Sequence, residues 1–334
     1  MKHFPLIIAA LLPLSAGAQT APSVLEIAVT THIIPRYEQA AMAADALEQV
    51  ALQDCAVDSE PLRAAYHAGF DGWIGVTHLR FGPSEVDNRA FAMAFWPDKK
   101  GFTAKALDRL ISTEQPLDTY NQTSIAGRGY FALDMLLFDP RFADANPAYT
   151  CQLVQAITAD ISDVADAVLH DWKTEYGQYL ITAGSDTNPV YLSEIEGVQE
   201  LFKAVLTGLE FTAGQRLGRP MGSFERPRPK RAEARRSGRS QRNIVVALQA
   251  TQELANILTA QAGGVGRQAD AGLALSLRLA QNLDDPVLAG VATVNGRFRA
   301  EALQSSIIAS MGFMVEELGP TLGVNPGFNA LDGD

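Results

Sequence analysis

Apolar residues recur at helical spacing along nearly the whole chain. Between Val24 and Cys55 they fall at Val24, Ile27, Ala28, Ile34, Tyr37, Ala41, Ala44, Leu47 and Ala51, the three-to-four period that keeps one helix face on a core. Pro35 interrupts this run and is expected to kink it, because proline has no amide proton to donate. Ser59-Glu60-Pro61 then supplies a cap and a first-turn proline for a second helix carrying Leu62, Ala65, Tyr66, Phe70, Trp73 and Val76, which stops at Phe81-Gly82-Pro83. The next stretch, FGPSEVDNRAFAMAFWPDKKG at 81–101, is irregular yet holds four aromatic residues. A solvated loop has no need of them, so the segment is expected to pack over something, bracing a loop or walling a pocket.

Helical spacing resumes at 102–112 and around 124–138, then runs from Tyr149 to about Tyr176. GSDTNP at 184–189 is turn chemistry and the expected boundary between two units. Beyond it, helices are predicted near 191–213, 238–262, 267–282 and 297–318. No segment shows the sustained alternation of a sheet. The predicted fold class is all-α, two helical bundles packed side by side, an N-terminal one over 19–185 and a C-terminal one over 186–334. A chain of 334 residues, 47% of them hydrophobic, can fill two cores, since single cores stop growing near roughly 250 to 300 residues.

The first 18 residues belong to neither bundle. Lys2 and His3 lead into LIIAALLPLSAGA, with Ala16 and Ala18 at the two positions a signal peptidase inspects. This reads as a secretory signal cleaved after Ala18, giving an exported, periplasmic protein with no later segment apolar enough to span a membrane. Export makes the two cysteines informative. Cys55 and Cys151 are either two buried thiols or a disulfide, which the oxidising compartment favours. A bridge closing so long a loop would stabilise the fold by roughly 4 to 5 kcal/mol.

Charge is unevenly spread. The segment 216–242 carries ten arginines and lysines against Glu225 and Glu233, so +8 of the chain's net −11 lies there and the rest of the molecule is at −19. So acidic a body excludes nucleic acid as the partner. The segment is expected to act as a basic strap on the acidic body, as an anion site, or, in 226–235, as a solvated linker.

Conventional catalytic chemistry is sparse. The histidines after the leader are His32, His67, His78 and His170, with no HExxH pattern, no phosphate-binding glycine loop and no GxSxG. His67 and His78 would lie eleven residues apart on one helix, roughly 16 Å along its axis, too far to share an ion.

Five pieces taken together resemble the imelysin family, also called peptidase M75-like: IIPRYEQAA, HLRFGP followed by FWPDKKG, GRGYFALDMLLF, RRSGRSQRNI and the closing GFNALDGD, in the family's order over nearly the whole chain after the leader. The resemblance implies an all-α fold of two bundles, export, and a link to bacterial iron uptake. The family signature GxHxxE sets a histidine and a glutamate three residues apart on one helix face, where both can reach one metal ion. Here the matching positions are Gly129, Phe131 and Asp134. Phenylalanine has no lone pair to give and the acid is a methylene shorter, so no catalytic residue and no metal ligand is nominated, although the resemblance leaves iron or another divalent metal open as cofactor.

An ionised acid in an apolar helix is costly unless it is paired. Asp134 is therefore expected to face the bundle interface and pair with Arg239 or Arg236, with Arg128 also at hand. Together with Gly129, Tyr130, Phe131 and Trp96 it would line a ligand pocket, or else form a purely architectural ion pair. Asp332 and Asp334 with the terminal carboxylate are a lesser candidate for a cation. Three functional readings follow: a non-catalytic binding or accessory component of iron uptake, an imelysin-type metallopeptidase, or an interaction protein docking to iron-uptake components or a membrane-associated partner through 216–242.

Overall fold

The computed structural model describes residues 22–324; the expected leader and the GFNALDGD tail with Asp332 and Asp334 lie outside them. Within that range the chain is helical, with no strand among the described residues. The first bundle opens with α1 (Val24–Ala28), α2 (Ile34–Gln53) and α3 (Glu60–Ile74). It continues through the short α4 (Arg89–Met93), α5 (Phe102–Thr113), α6 (Gly129–Phe138), α7 (Pro147–Asp171) and α8 (Gly177–Ile181). The second contains α9 (Glu194–Phe211), α10 (Gly218–Met221), α11 (Ser240–Gln261), α12 (Arg267–Gln281), α13 (Val294–Phe313) and α14 (Gly319–Thr321).

Local chemistry sets several of these boundaries. Ser59 Oγ accepts the Leu62 amide at 3.2 Å, satisfying one of the donors that a helix start leaves free. Ser23 does the same for α1 through the Glu26 amide. Pro35, expected to kink its helix, sits in the first turn of α2, directly after a widened π-turn at Val29–Ile33 that joins α1 to α2. The wider turn gives the ring space and relieves the amide-for-carbonyl exchange that a mid-helix proline would spoil. Three more π-turns follow among the described residues, at Trp172–Tyr176, Thr212–Leu217 and Met314–Leu318.

In the first bundle α2 packs along both α3 and α7, and α6 fills the remaining side against α7. In the second, α11 packs on α9 and α12, and α12 on α13. The two meet where α11 crosses α3 and where α1 reaches over to α9 and α11. Buried apolar residues form one continuous core through both, from Leu47, Tyr66 and Phe70 to Leu209, Leu254 and Ile307.

The irregular aromatic segment packs as its composition suggests. Phe81 meets Trp172 edge to face at 5.5 Å, and Trp96 meets Phe131 and Phe211. Cys55 and Cys151 are bridged, with their Cα atoms 4.9 Å apart, tying the chain just after α2 to the start of α7. Gly184 and Asn188 build the predicted turn, Asn188 accepting the amides of Val190 and Tyr191. No helix among the described residues is long and apolar enough to cross a membrane.

Candidate functional site

Helix α6 is buried along Gly129–Leu137 and packs on α7, α5 and α3. Its start is fixed by Gly129, whose φ of +68° suits glycine and where a Cβ would collide with the carbonyl oxygens of Ala92 and Met93. Arg128, just ahead of it, forks onto Asp160 of α7 through Nε at 2.9 Å and Nη2 at 2.6 Å. Tyr130 points into the first bundle, stacked on Phe70 with ring centres 4.7 Å apart, and its buried hydroxyl has no partner among the described residues.

Asp134 is buried, as expected for a carboxylate in an apolar run, but it does not pair with an arginine. Its Oδ1 accepts two hydroxyls, Tyr66 from α3 at 2.9 Å and Ser237 at 2.5 Å. Both expected partners are engaged elsewhere. Arg236 Nε donates to Asp139 at 2.5 Å. Arg239 donates to Asp71 at 2.5 Å and to the His67 carbonyl oxygen at 2.8 Å, with its guanidinium 5.0 Å above the Phe70 ring. The physical reason is burial: desolvation raises the Asp134 pKa, and the two hydroxyls and the more distant Arg236 and Arg239 only partly oppose it. Asp71 and Asp139, less buried, take the arginines and are held below the usual carboxylate range; burial alone would raise both, but hydrogen bonds and guanidinium charge outweigh it.

A cleft of about 530 Å³ opens over this helix. Of the residues nominated from sequence, it brings together Trp96, Phe131, Asp134 and Arg236, while Gly129, Tyr130, Arg128 and Arg239 lie away from its lining. The basic segment 216–242, one reading of which is an anion site, supplies Arg219 in α10 and Lys230 and Arg231 in the 3-10 turn Pro229–Arg231, while sequence reasoning missed Lys100 before α5. Behind it lies a second, mainly apolar cavity of about 260 Å³ lined by Trp73, Ile74, Leu79 and Phe211. Trp96 and Phe131, stacked with ring centres 6.4 Å apart, line both spaces. The buried Arg216–Glu233 pair, 2.8 Å apart, lines the inner one.

The metal that a GxHxxE helix would hold does not fit here. Phe131 offers no donor where the histidine belongs, and one oxygen of Asp134 is taken by two hydroxyls. Among the described residues no three His, Cys, Asp or Glu side chains converge to hold an ion.

A buried histidine pair was also missed. His32, in the first π-turn, and His78, after α3, bring their Nε2 atoms to 2.9 Å, and His32 Nδ1 lies 3.6 Å from Glu253 of α11. The arrangement that satisfies these contacts puts a proton on His32 Nδ1 toward Glu253, and one on His78 Nε2 toward His32. His78 Nδ1 then remains a buried acceptor without a partner. Burial depresses the pKa of both rings, with Arg36 beside them adding to the effect, while Glu253 is pushed down to about 2, chiefly by its hydrogen bond with His32. His67 faces Arg239 and the Phe138 ring instead.

Known proteins share this fold. A crystal structure of an imelysin-like protein from Psychrobacter arcticum 273-4 superposes with a TM-score of 0.77 at 19% identity, covering 91% of this chain and 96% of that one. A protein assigned as an iron-regulated protein A precursor, from Parabacteroides distasonis ATCC 8503, superposes at 0.68 with 12% identity, covering 90% and 97%. At these identities the likeness is one of fold. No curated protein matches the chain significantly. The sequence profile of imelysin, peptidase M75, matches residues 33–311, and the chain belongs to the imelysin family.

Proposed function

We propose that this imelysin-family protein is an exported, non-catalytic binding or accessory component of bacterial iron uptake, with its ligand held in the cleft over α6. One observation carries the non-catalytic part: at the signature positions stand Phe131, which cannot ligate, and Asp134, whose Oδ1 is already occupied by Tyr66 and Ser237. A metallopeptidase needs a fixed ion to polarise the scissile carbonyl and activate water, and this helix supplies no donor pair for one. The link to iron rests on family membership and on the description of one structural neighbour as an iron-regulated precursor. Export to the periplasm, with the leader removed after Ala18, is supported by the Cys55–Cys151 bridge, a feature of oxidising compartments.

Docking through 216–242 is the weaker reading, because Arg216, Arg236, Arg239 and Arg242 are spent on Glu233, Asp139 and Asp71 within the molecule. Metal analysis of the purified protein with a peptide-cleavage assay tests the proposal: no stoichiometric metal and no EDTA-sensitive cleavage are expected. Tightly bound metal together with EDTA-sensitive cleavage would overturn it. Deleting the gene should slow growth on iron-depleted medium, and added iron should restore it; unchanged growth removes the iron link.

A further inference from the structure

The cleft over α6 is a concentration of positive charge on an acidic molecule. Lys100, Lys105, Arg141, Arg219, Lys230, Arg231 and Arg236 all line it, against Asp98, Asp108 and Asp134. Two of those acids are already engaged within the molecule. Asp98 turns its oxygens to the amides of Lys100 and Thr103 at 3.2 and 2.9 Å, capping α5, and Asp134 Oδ1 accepts the Tyr66 and Ser237 hydroxyls. Arg236 and Arg141 share Asp139, but Arg219, Lys230 and Arg231 have no carboxylate partner among the described residues.

Arg219 is the most telling of these. Its guanidinium lies 5.7 Å over the Trp96 ring, and its Nε is buried with no hydrogen-bond acceptor. Burial, and then the charge of Arg231, lower its pKa. Two guanidiniums facing one cleft, neither paired to a carboxylate among the described residues, repel one another, a cost that a bound anion removes.

We propose that the cleft binds a multivalent carboxylate, an organic anion with two or more carboxyl groups, taken up free or wrapped around a chelated cation. The inference rests on the reading of this cleft as the ligand site. Arg219 and Arg231 offer forked donors suited to carboxylates, and Lys100 and Lys230 add point charges from separate segments. A single phosphate would reach only part of a 530 Å³ space whose cations come from several segments. The Trp96 and Phe131 rings form an apolar floor for the ligand's carbon skeleton.

The test titrates the full-length purified protein, stripped of metal, with citrate, ferric citrate, a ferric salt and inorganic phosphate, read by calorimetry and Trp fluorescence. Citrate is expected to bind one to one, more tightly than phosphate and more weakly as salt rises. Arg219→Gln and Arg231→Gln should each weaken it roughly tenfold, while Arg226→Gln, on the same segment but outside the cleft, should not. Arg231 is exposed, so its variant keeps the test decisive even if Arg219→Gln fails to fold. Ferric citrate binding alongside citrate marks a chelate carrier, and citrate alone a carboxylate carrier; both support the inference. Phosphate binding as tightly as citrate, a ferric salt binding where citrate does not, or no binding of any anion would overturn it. A growth defect on iron-depleted medium that persists without citrate binding would leave the iron-uptake reading standing and remove only this one. Citrate binding without that defect would do the reverse.

Discussion

Asp134 shows how a carboxyl survives at nearly full burial without a cation. Two hydroxyls hold one oxygen, and desolvation raises its pKa above the ordinary 3.8. A raised folded-state pKa gives stability that is fully present below the unfolded value and lost as pH rises through the folded one. Asp134→Asn stays neutral at every pH and keeps an oxygen for Tyr66 and Ser237. The melting temperature of the variant, relative to the parent, should therefore climb by a few degrees between pH 4 and pH 7; a difference independent of pH would mean that Asp134 is ionised throughout. The His32–His78 pair works in the opposite sense. Both pKa values are depressed by burial, so the stability they lend is present above 6.5 and lost as pH falls below it. Around them stand Glu253, Arg36 and, for His78, Arg216, and only the glutamate favours the charged rings. His78→Gln should narrow the gap in melting temperature between pH 7 and pH 5, and an unchanged gap would place the acid sensitivity elsewhere. That Asp134 is buried was legible in the sequence, because an acid inside GYFALDMLLF has almost no exposed neighbours. Its partners were not: Tyr66 and Ser237 lie 68 and 103 positions away, and a hydroxyl carries no charge pattern to give it away. His32 and His78, 46 apart, were hidden for the same reason.

Helices, as elements, followed the apolar period closely, since Leu47, Ala51, Tyr66, Phe70 and Trp73 all face the core that their spacing implied. The π-turns escaped because one extra residue in a helix leaves the local composition unchanged while re-phasing everything after it. The basic segment 216–242 was legible as a candidate anion site, but its meeting with Lys100, Trp96 and Phe131 in one cleft arises only through folding. The start of α6 rests on a single conformational requirement. Gly129→Ala must adopt a positive φ and push its methyl into the backbone of α4. The expected loss is at least about 2 kcal/mol, read from the midpoint of urea unfolding; a shift below about 0.5 kcal/mol would show that α4 gives way freely.

At the scale of the molecule, part of the basic segment 216–242 does behave as a strap. Arg236 reaches Asp139, while Arg239 and Arg242 converge on Asp71 of α3, fastening the start of α11 to the first bundle. The Arg239 side chain is only 1% exposed, so Asp71→Asn would leave a buried guanidinium without its counter-charge. A loss of about 3 kcal/mol is expected, and a near-neutral effect in thermal unfolding would show that the Phe70 and Tyr66 rings alone suffice to hold it. The π-turn at Val29–Ile33 has a further consequence for how the two bundles were joined. It works like a phase shifter in a drive shaft. Ahead of it, α1 turns Val24, Leu25 and Ala28 toward α8, α9 and α11; behind it, α2 turns Tyr37, Ala41 and Ala44 into the first bundle. Each residue in a regular helix advances the face by about 100°, so removing the exposed Thr31 would rewind the turn and swing one of those faces into solvent. A Thr31 deletion should therefore unfold far more readily than Thr31→Ala, and equal stability of the two would mean that the shaft needs no such offset.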